Sequence, residues 1–160
     1  MAITDIKSQP PLAGWWILLF PLTYLVHIAE EYWGGEGFYQ WLRKFAGAGM
    51  TAEQFLSLNS FFMMFMIASM IVILAFPAWQ WLLNGYGSLV FINGALHVIG
   101  SFITASYSPG AISGVLLWMP LGFYTMRRAW RSLPRERFWF SLSAGIVMHA
   151  MVSLIALTLN

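Results

Sequence analysis

Cysteine is absent from this chain of 160 residues, which excludes structural disulfides, thiolate metal sites and cysteine nucleophiles. Charge is scarce too. Asp, Glu, Lys and Arg make up 9% of the sequence, where a soluble domain carries about 25%. Eight Lys and Arg stand against six Asp and Glu, a surplus too small to hold a polyanion, so no nucleic-acid partner is expected. What the chain has instead is apolar surface: 59% hydrophobic residues, 18% aromatic, and a mean hydropathy of +0.69. So much apolar area must meet something other than water, and a bilayer is the simplest solvent for it.

No charge falls between Lys7 and Glu30, or between Glu53 and Arg127. A helix crossing a bilayer core needs about 20 apolar residues, so the first gap holds one span and the second holds three. Phe76-Pro77 and Ser108-Pro109-Gly110 divide the second gap, because proline disfavours helix at the residue before it and glycine supplies turn dihedrals. The reading is an all-α, polytopic membrane bundle in one domain over residues 1–160, with five transmembrane helices near 14–33, 55–76, 79–105, 110–128 and 138–158. The first apolar run exceeds a signal-peptide core and is kept as a span. Segment 34–50 carries Glu36, Arg43 and Lys44 among aromatics and reads as a short interfacial stretch whose glycines exclude a long regular helix. Thr51 and Gln54 have the spacing of a capping box.

Lys7, Arg127, Arg128, Arg131, Arg135 and Arg137 fall on one side of this topology, and only Arg43 and Lys44 on the other. The positive-inside rule then places the N-terminus inside and the C-terminus outside, and the arginines are accounted for by topology and anionic headgroups. Trp15, Trp33, Trp79, Trp81 and Trp139 stand near helix ends, as interfacial anchors do. Met63, Met64, Met66 and Met70 with Phe61, Phe62 and Phe65 crowd the second helix. They read as core and lipid-facing filling in preference to a soft binding surface for a lipid or flat cofactor. The small-residue pair Gly110 and Gly114 would allow close helix approach, with a second copy or within a larger membrane complex.

Ionisable residues inside a span are expensive and mark function. Here they are His27, Glu30, Glu31, His97 and His149. His27, Glu30 and Glu31 stand at i, i+3 and i+4 and share one face of the first helix, with Thr23 one turn earlier as a candidate supporting partner. Asn93, His97, Ser101 and Thr104 form a polar stripe on the third helix, and Ser141, Gly145, His149 and Ser153 form one on the fifth; both must face protein. Counted from the cytoplasmic ends at about 1.5 Å per residue, all five ionisable groups fall in the outer half of the bundle or at its edge, a common depth for a shared site.

His27-Ile-Ala-Glu30-Glu31 resembles the signature of the HXXEE-domain family of small bacterial integral membrane proteins. Asn93-Gly-Ala-Leu-His97 resembles that family's second motif, Tyr107-Ser-Pro109-Gly110 its third, and His149 a late histidine. These matches run in order from His27 to His149. The resemblance implies a bacterial cytoplasmic (inner) membrane protein, suspected to be an enzyme, and attaches no substrate to it.

Three imidazoles and two carboxylates without a thiol suit zinc, iron or manganese, and softness disfavours Cu(I). The expected divalent-metal ligands are His27, Glu30, Glu31, His97 and His149. A single metal with an open water position would support hydrolysis, with Glu31 as a further ligand or proton carrier; a carboxylate-bridged pair would echo di-iron bundles, which use more carboxylates. Asn93 and Tyr107 complete the expected catalytic set with Glu31, orienting substrate or supplying a proton. The function read from this is a metal-dependent enzyme acting on a lipid or other apolar substrate. The alternatives are a haem-binding electron-transfer subunit using His97 and His149, and a small transporter, proton relay or accessory subunit. In the bland reading Glu31 is solvated near a helix end and His97 and His149 are neutral core histidines.

Overall fold

A computed structural model describes residues 12–47 and 49–159, and every regular element among them is helical. The expected helices are all there, displaced by a few residues at their ends. A 3₁₀ turn at Trp15–Leu18 leads into α1, Leu19–Trp33; a short α2, Phe38–Ala46, follows, and then α3, Ala52–Ala75. After a 3₁₀ turn at Pro77–Trp79 come α4, Leu82–Thr104, and a segment made of α5, Ala111–Ser113, a π-helical turn at Gly114–Trp118, and α6, Met119–Ser132. The last helix is α7, Arg135–Thr158.

The boundaries follow the local chemistry. Thr51 and Gln54 form the capping box reciprocally at the start of α3, satisfying donors that helix geometry would leave orphaned. Pro77 ends α3, leaving Phe76 extended, and Pro134 opens α7. Gly47 ends α2 in the left-handed region.

Three helical stretches are long and apolar enough to cross a membrane: Ala52–Ala75, Pro77–Thr104 and Arg135–Thr158. The five expected spans therefore reduce to three on this criterion. α1 has only 15 residues, and the 111–132 stretch is broken by the π turn and ends among arginines. Lys7, which the topology argument used, lies outside the described residues. Trp15, Trp33, Trp79 and Trp139 are exposed, as anchors in an interface would be, and Glu36 pairs with Lys44 at 3.6 Å on the α2 side.

α4 is the axis of the bundle and packs along α6 and α7. Glycines make this approach possible. A Cβ on Gly145 would lie 2.0 Å from Ser88 Oγ and 2.2 Å from the Gly85 carbonyl, and one on Gly122 would lie 2.4 Å from the Gly87 carbonyl. Gly114 meets Gly94 in the same way, with a would-be Cβ 2.9 Å from its Cα. The Gly110 and Gly114 pair is thus used within the chain. At the far end Asn84 Nδ2 donates to the Phe138 carbonyl and to Ser141 Oγ, both at 2.8 Å, tying the first turn of α7 to α4. Gln80 Oε1 accepts from Leu12 and Ala13. The main apolar core, with Phe20, Tyr24, Met66, Val90 and Trp118, lies between α1, α3, α4 and the 111–132 segment.

Because backbone atoms cannot retreat from the α4–α7 seam, Gly145→Ala is expected to destabilise the protein by about 1–3 kcal/mol, the range for overpacking. Ser143→Ala, at an exposed position of the same helix, should stay within about 0.5 kcal/mol. Unfolding in detergent followed by circular dichroism checks the pair; equal stabilities would mean that α4 and α7 do not pack this closely.

Candidate metal centre

Residues four apart on a helix share a face, and α1 uses this to turn His27 and Glu31 inward; both are buried, His27 completely. α4 delivers His97 opposite them. The Nε2 atoms of the two histidines converge on Glu31 Oε1, His97 at 3.2 Å and His27 at 3.7 Å, and one donor atom from each of the three residues lies within 4.8 Å of the others. The three are the metal-competent group found among the described residues.

Both imidazoles are held at the opposite edge by one turn. His27 Nδ1 hydrogen-bonds Ser113 Oγ at 2.7 Å, and His97 Nδ1 hydrogen-bonds Ser108 Oγ at 3.1 Å. Ser113 has the Gly110 carbonyl, 3.4 Å away, as an acceptor for its own proton, which leaves its oxygen free to accept from His27 Nδ1–H. A proton on Nδ1 leaves Nε2 with a bare lone pair, the tautomer a metal requires. The ring faces are set as well: Trp118, displaced inward by the π turn, stacks on His27 at 3.6 Å between centroids, and Phe38 lies against His97 at 5.1 Å. Gly110 sits between the rings. Its φ is +101°, and a Cβ there would meet His97 Cε1 at 2.8 Å and His27 Cε1 at 3.0 Å.

Four side-chain atoms in this region are buried without a hydrogen-bond partner: Trp118 Nε1, Tyr86 Oη, His27 Nε2 and Asn93 Oδ1, of which the last two can present lone pairs beside Glu31. Buried polar atoms in native proteins are almost always paired, so two orphans beside a buried carboxylate fit an electrophile that all of them face.

Glu30 goes elsewhere. Its carboxylate accepts from Tyr107 Oη at 2.5 Å, from the Ile112 amide at 2.8 Å and from the Ser113 amide at 2.6 Å. It caps the amides that open the 111–132 segment, where a negative charge is favoured, and is not among the three grouped donors. Partial burial, and then the hydrogen bond to Glu30, hold the Tyr107 phenol above its ordinary pKa, so it stays a neutral donor. Tyr107 thus serves the turn, and Thr23 bonds the Leu19 and Phe20 carbonyls of its own helix; Ser113 fills the supporting place expected of it.

His149 is buried, with Nδ1 3.3 Å from Ser153 Oγ. With Glu31 and Asn93 it lines a cleft of about 210 Å³ beside the three donors. Ser108 was visible in the sequence only as a turn residue, and Gly110 as a turn residue and one half of a small-residue pair. Ser113 and Trp118 gave no signal, because the π turn that aims Trp118 has no signature in residue type.

If Glu30 and Tyr107 act as one unit, Glu30→Gln and Tyr107→Phe should each destabilise by about 1–2 kcal/mol, the range for hydrogen bonds to a charged group at a half-exposed site. The double variant should lose less than the sum. Strict additivity in denaturant unfolding would mean that the two groups are independent.

No curated protein and no solved structure matches the chain. One family model does, over residues 18–125, a stretch that takes in His27, Glu30, Glu31, Asn93, His97, Tyr107 and the serine turn and stops short of α7 and His149. With most of its length matched in this way, the chain belongs to the family described as "Protein of unknown function with HXXEE motif".

Proposed function

We propose that this protein is an integral membrane, metal-dependent enzyme, built on His27, Glu31 and His97, that acts on a lipid or other apolar substrate. The observation that carries the reading is the convergence of three buried donors from two helices, one of them the unpartnered His27 Nε2, with the unpartnered Asn93 Oδ1 in the same region. Intramembrane carboxylates and histidines default to function, and this set is oriented as metal ligands are: imidazoles fixed through the far nitrogen and a carboxylate between them.

In the proposed arrangement α1 and the 111–132 segment also cross the bilayer, giving five spans with the N-terminus inside. The membrane is the cytoplasmic membrane of a bacterium. Zinc, iron or manganese fits the nitrogen and oxygen donors, and when bound would supply Lewis acidity and an activated water. The residues divide the remaining work. His27, His97 and Glu31 hold the ion, while His149 and Asn93 face the substrate side, with His149 able to add a ligand and Asn93 to orient a carbonyl or hydroxyl. Glu31 is placed to hold or pass a proton toward the cleft. Glu30, through Tyr107 and the amides of Ile112 and Ser113, keeps the serine turn against the imidazoles.

A second reading has one observation in its favour. Glu31 and His97 are 3.2 Å apart, a distance that also suits a shared proton, and a relay of Glu31 with the three histidines would use it.

Elemental analysis of untagged protein in detergent, after dialysis against zinc, iron(II) or manganese, decides between them. About one bound ion per chain is expected, lost in His27→Ala and His97→Ala and kept in Glu30→Gln, because Glu30 serves the turn. Wild-type protein that retains no metal would overturn the metal reading in favour of the relay.

A further inference from the structure

The cleft beside the donors is open at its side. α3 packs on α1 and makes no extensive contact with α7, so a slot runs between two helices that both have membrane-span character. Phe62, Phe65 and Met66 of α3 face Met148, Val152 and Ala156 of α7 across it. Phe65 on one lip and Leu157 near the other are substantially exposed. From Phe55 to Met66 the wall follows roughly 16 Å of helix axis at 1.5 Å per residue, long and narrow, and flexible Met side chains suit a chain of variable shape. Glu31, Asn93 and His149 interrupt the apolar wall partway along. Among the described residues no Lys or Arg lines it.

We propose that this slot receives the hydrocarbon chain of a single-chain amphiphile with an uncharged head, a long-chain alcohol or aldehyde, entering sideways from the bilayer. The slot's volume, about 210 Å³, is small for two hydrocarbon chains. The polar groups the head can meet are a carboxylate and an amide oxygen, which accept from a hydroxyl, and an imidazole, whose N–H can donate to a carbonyl. In the cation-free cleft a phosphate or carboxylate head would bring a second negative charge to buried Glu31, with no Lys or Arg among the described lining residues to pair it. Both arguments weigh against a two-chain phospholipid. The inference rests on the membrane reading above, and takes its substrate class from the cleft, without requiring the metal.

The test uses the full-length protein in nanodiscs and three photoactivatable probes carrying a mid-chain diazirine: a C16 alcohol, the matching fatty acid and a phosphatidylcholine. The alcohol is expected to label peptides containing Met66 and Met148, saturably and in competition with unlabelled alcohol, with the other two probes labelling them weakly. Val152→Trp, which fills the slot, should lower that labelling by about tenfold, a loss of about 1.4 kcal/mol in binding. Leu154→Trp, exposed on the other face of the same helix, should leave it unchanged, and Ala156→Phe replaces Val152→Trp if that variant fails to fold. Labelling by phosphatidylcholine as strong as by the alcohol, or labelling indifferent to both filling variants, overturns the proposal. Metal is measured on the same samples. Saturable labelling of metal-free protein would keep this inference and sink the metal centre, and bound metal without saturable labelling would do the reverse.

Discussion

The centre depends on the absence of one side chain. Gly110 adopts a backbone conformation that an L residue rarely takes, and its Cα lies against the edges of both imidazoles. With the turn this close, Ser108 and Ser113, on either side of it, each reach an Nδ1. The two Nε2 atoms are then turned toward Glu31. A Cβ at this position would push the turn away from α1 and α4 together, and with it the hydroxyls, the amides that Glu30 binds and the start of the 111–132 segment. Ring orientation, helix capping and helix entry are therefore one constraint.

The same economy governs α4. Its polar stripe can face protein because the helices beside it come close, and they come close because Gly85, Gly87 and Gly94 leave room for Gly145, Gly122 and Gly114. Its hydroxyls are satisfied: Ser101 donates to the His97 carbonyl and accepts from the Ser108 amide, and Thr104 donates to the Gly100 carbonyl and lies 2.9 Å from Ser106 Oγ. Near the metal-competent group, by contrast, His27 Nε2, Asn93 Oδ1, Trp118 Nε1 and Tyr86 Oη are left without partners, and the first two can present lone pairs to an ion.

The helical architecture was legible in the sequence because its signals are local. Charge-free runs, the Pro77 and Pro109-Gly110 breaks and the Thr51/Gln54 box placed each helix within a few residues of where it lies. Which of the helices have span character was less legible, since α1 is short and the 111–132 segment is interrupted in ways that composition does not reveal. His27, Glu31 and His97 were legible as a set from their spacing and common depth. Their separation from Glu30 was not: one residue along a helix turns a side chain by about 100°, enough to send neighbouring carboxylates to different partners, and the partner amides of Ile112 and Ser113 carry no residue-type signal at all. The Met and Phe content of α3 read as core and lipid-facing filling, and Met66 and Met70 are core while Phe61 and Met64 are exposed; that Phe62, Phe65 and Met66 also wall the cleft had no signal in residue type.

The π turn at Gly114–Trp118 has the geometry of a single residue inserted into an α-helix, as such bulges commonly are. Upstream of it lie the serine turn and the carboxylate cap; downstream, Leu121, Thr125 and Ala129 are the buried stripe of α6. Deleting one residue from this turn would keep every side chain's chemistry and rotate everything beyond it by about 100°, carrying Trp118 off the His27 ring and the buried stripe of α6 round to the outside. The spacer between the serine turn and α6 is thus a counted length, in which the number of residues matters more than what most of them are.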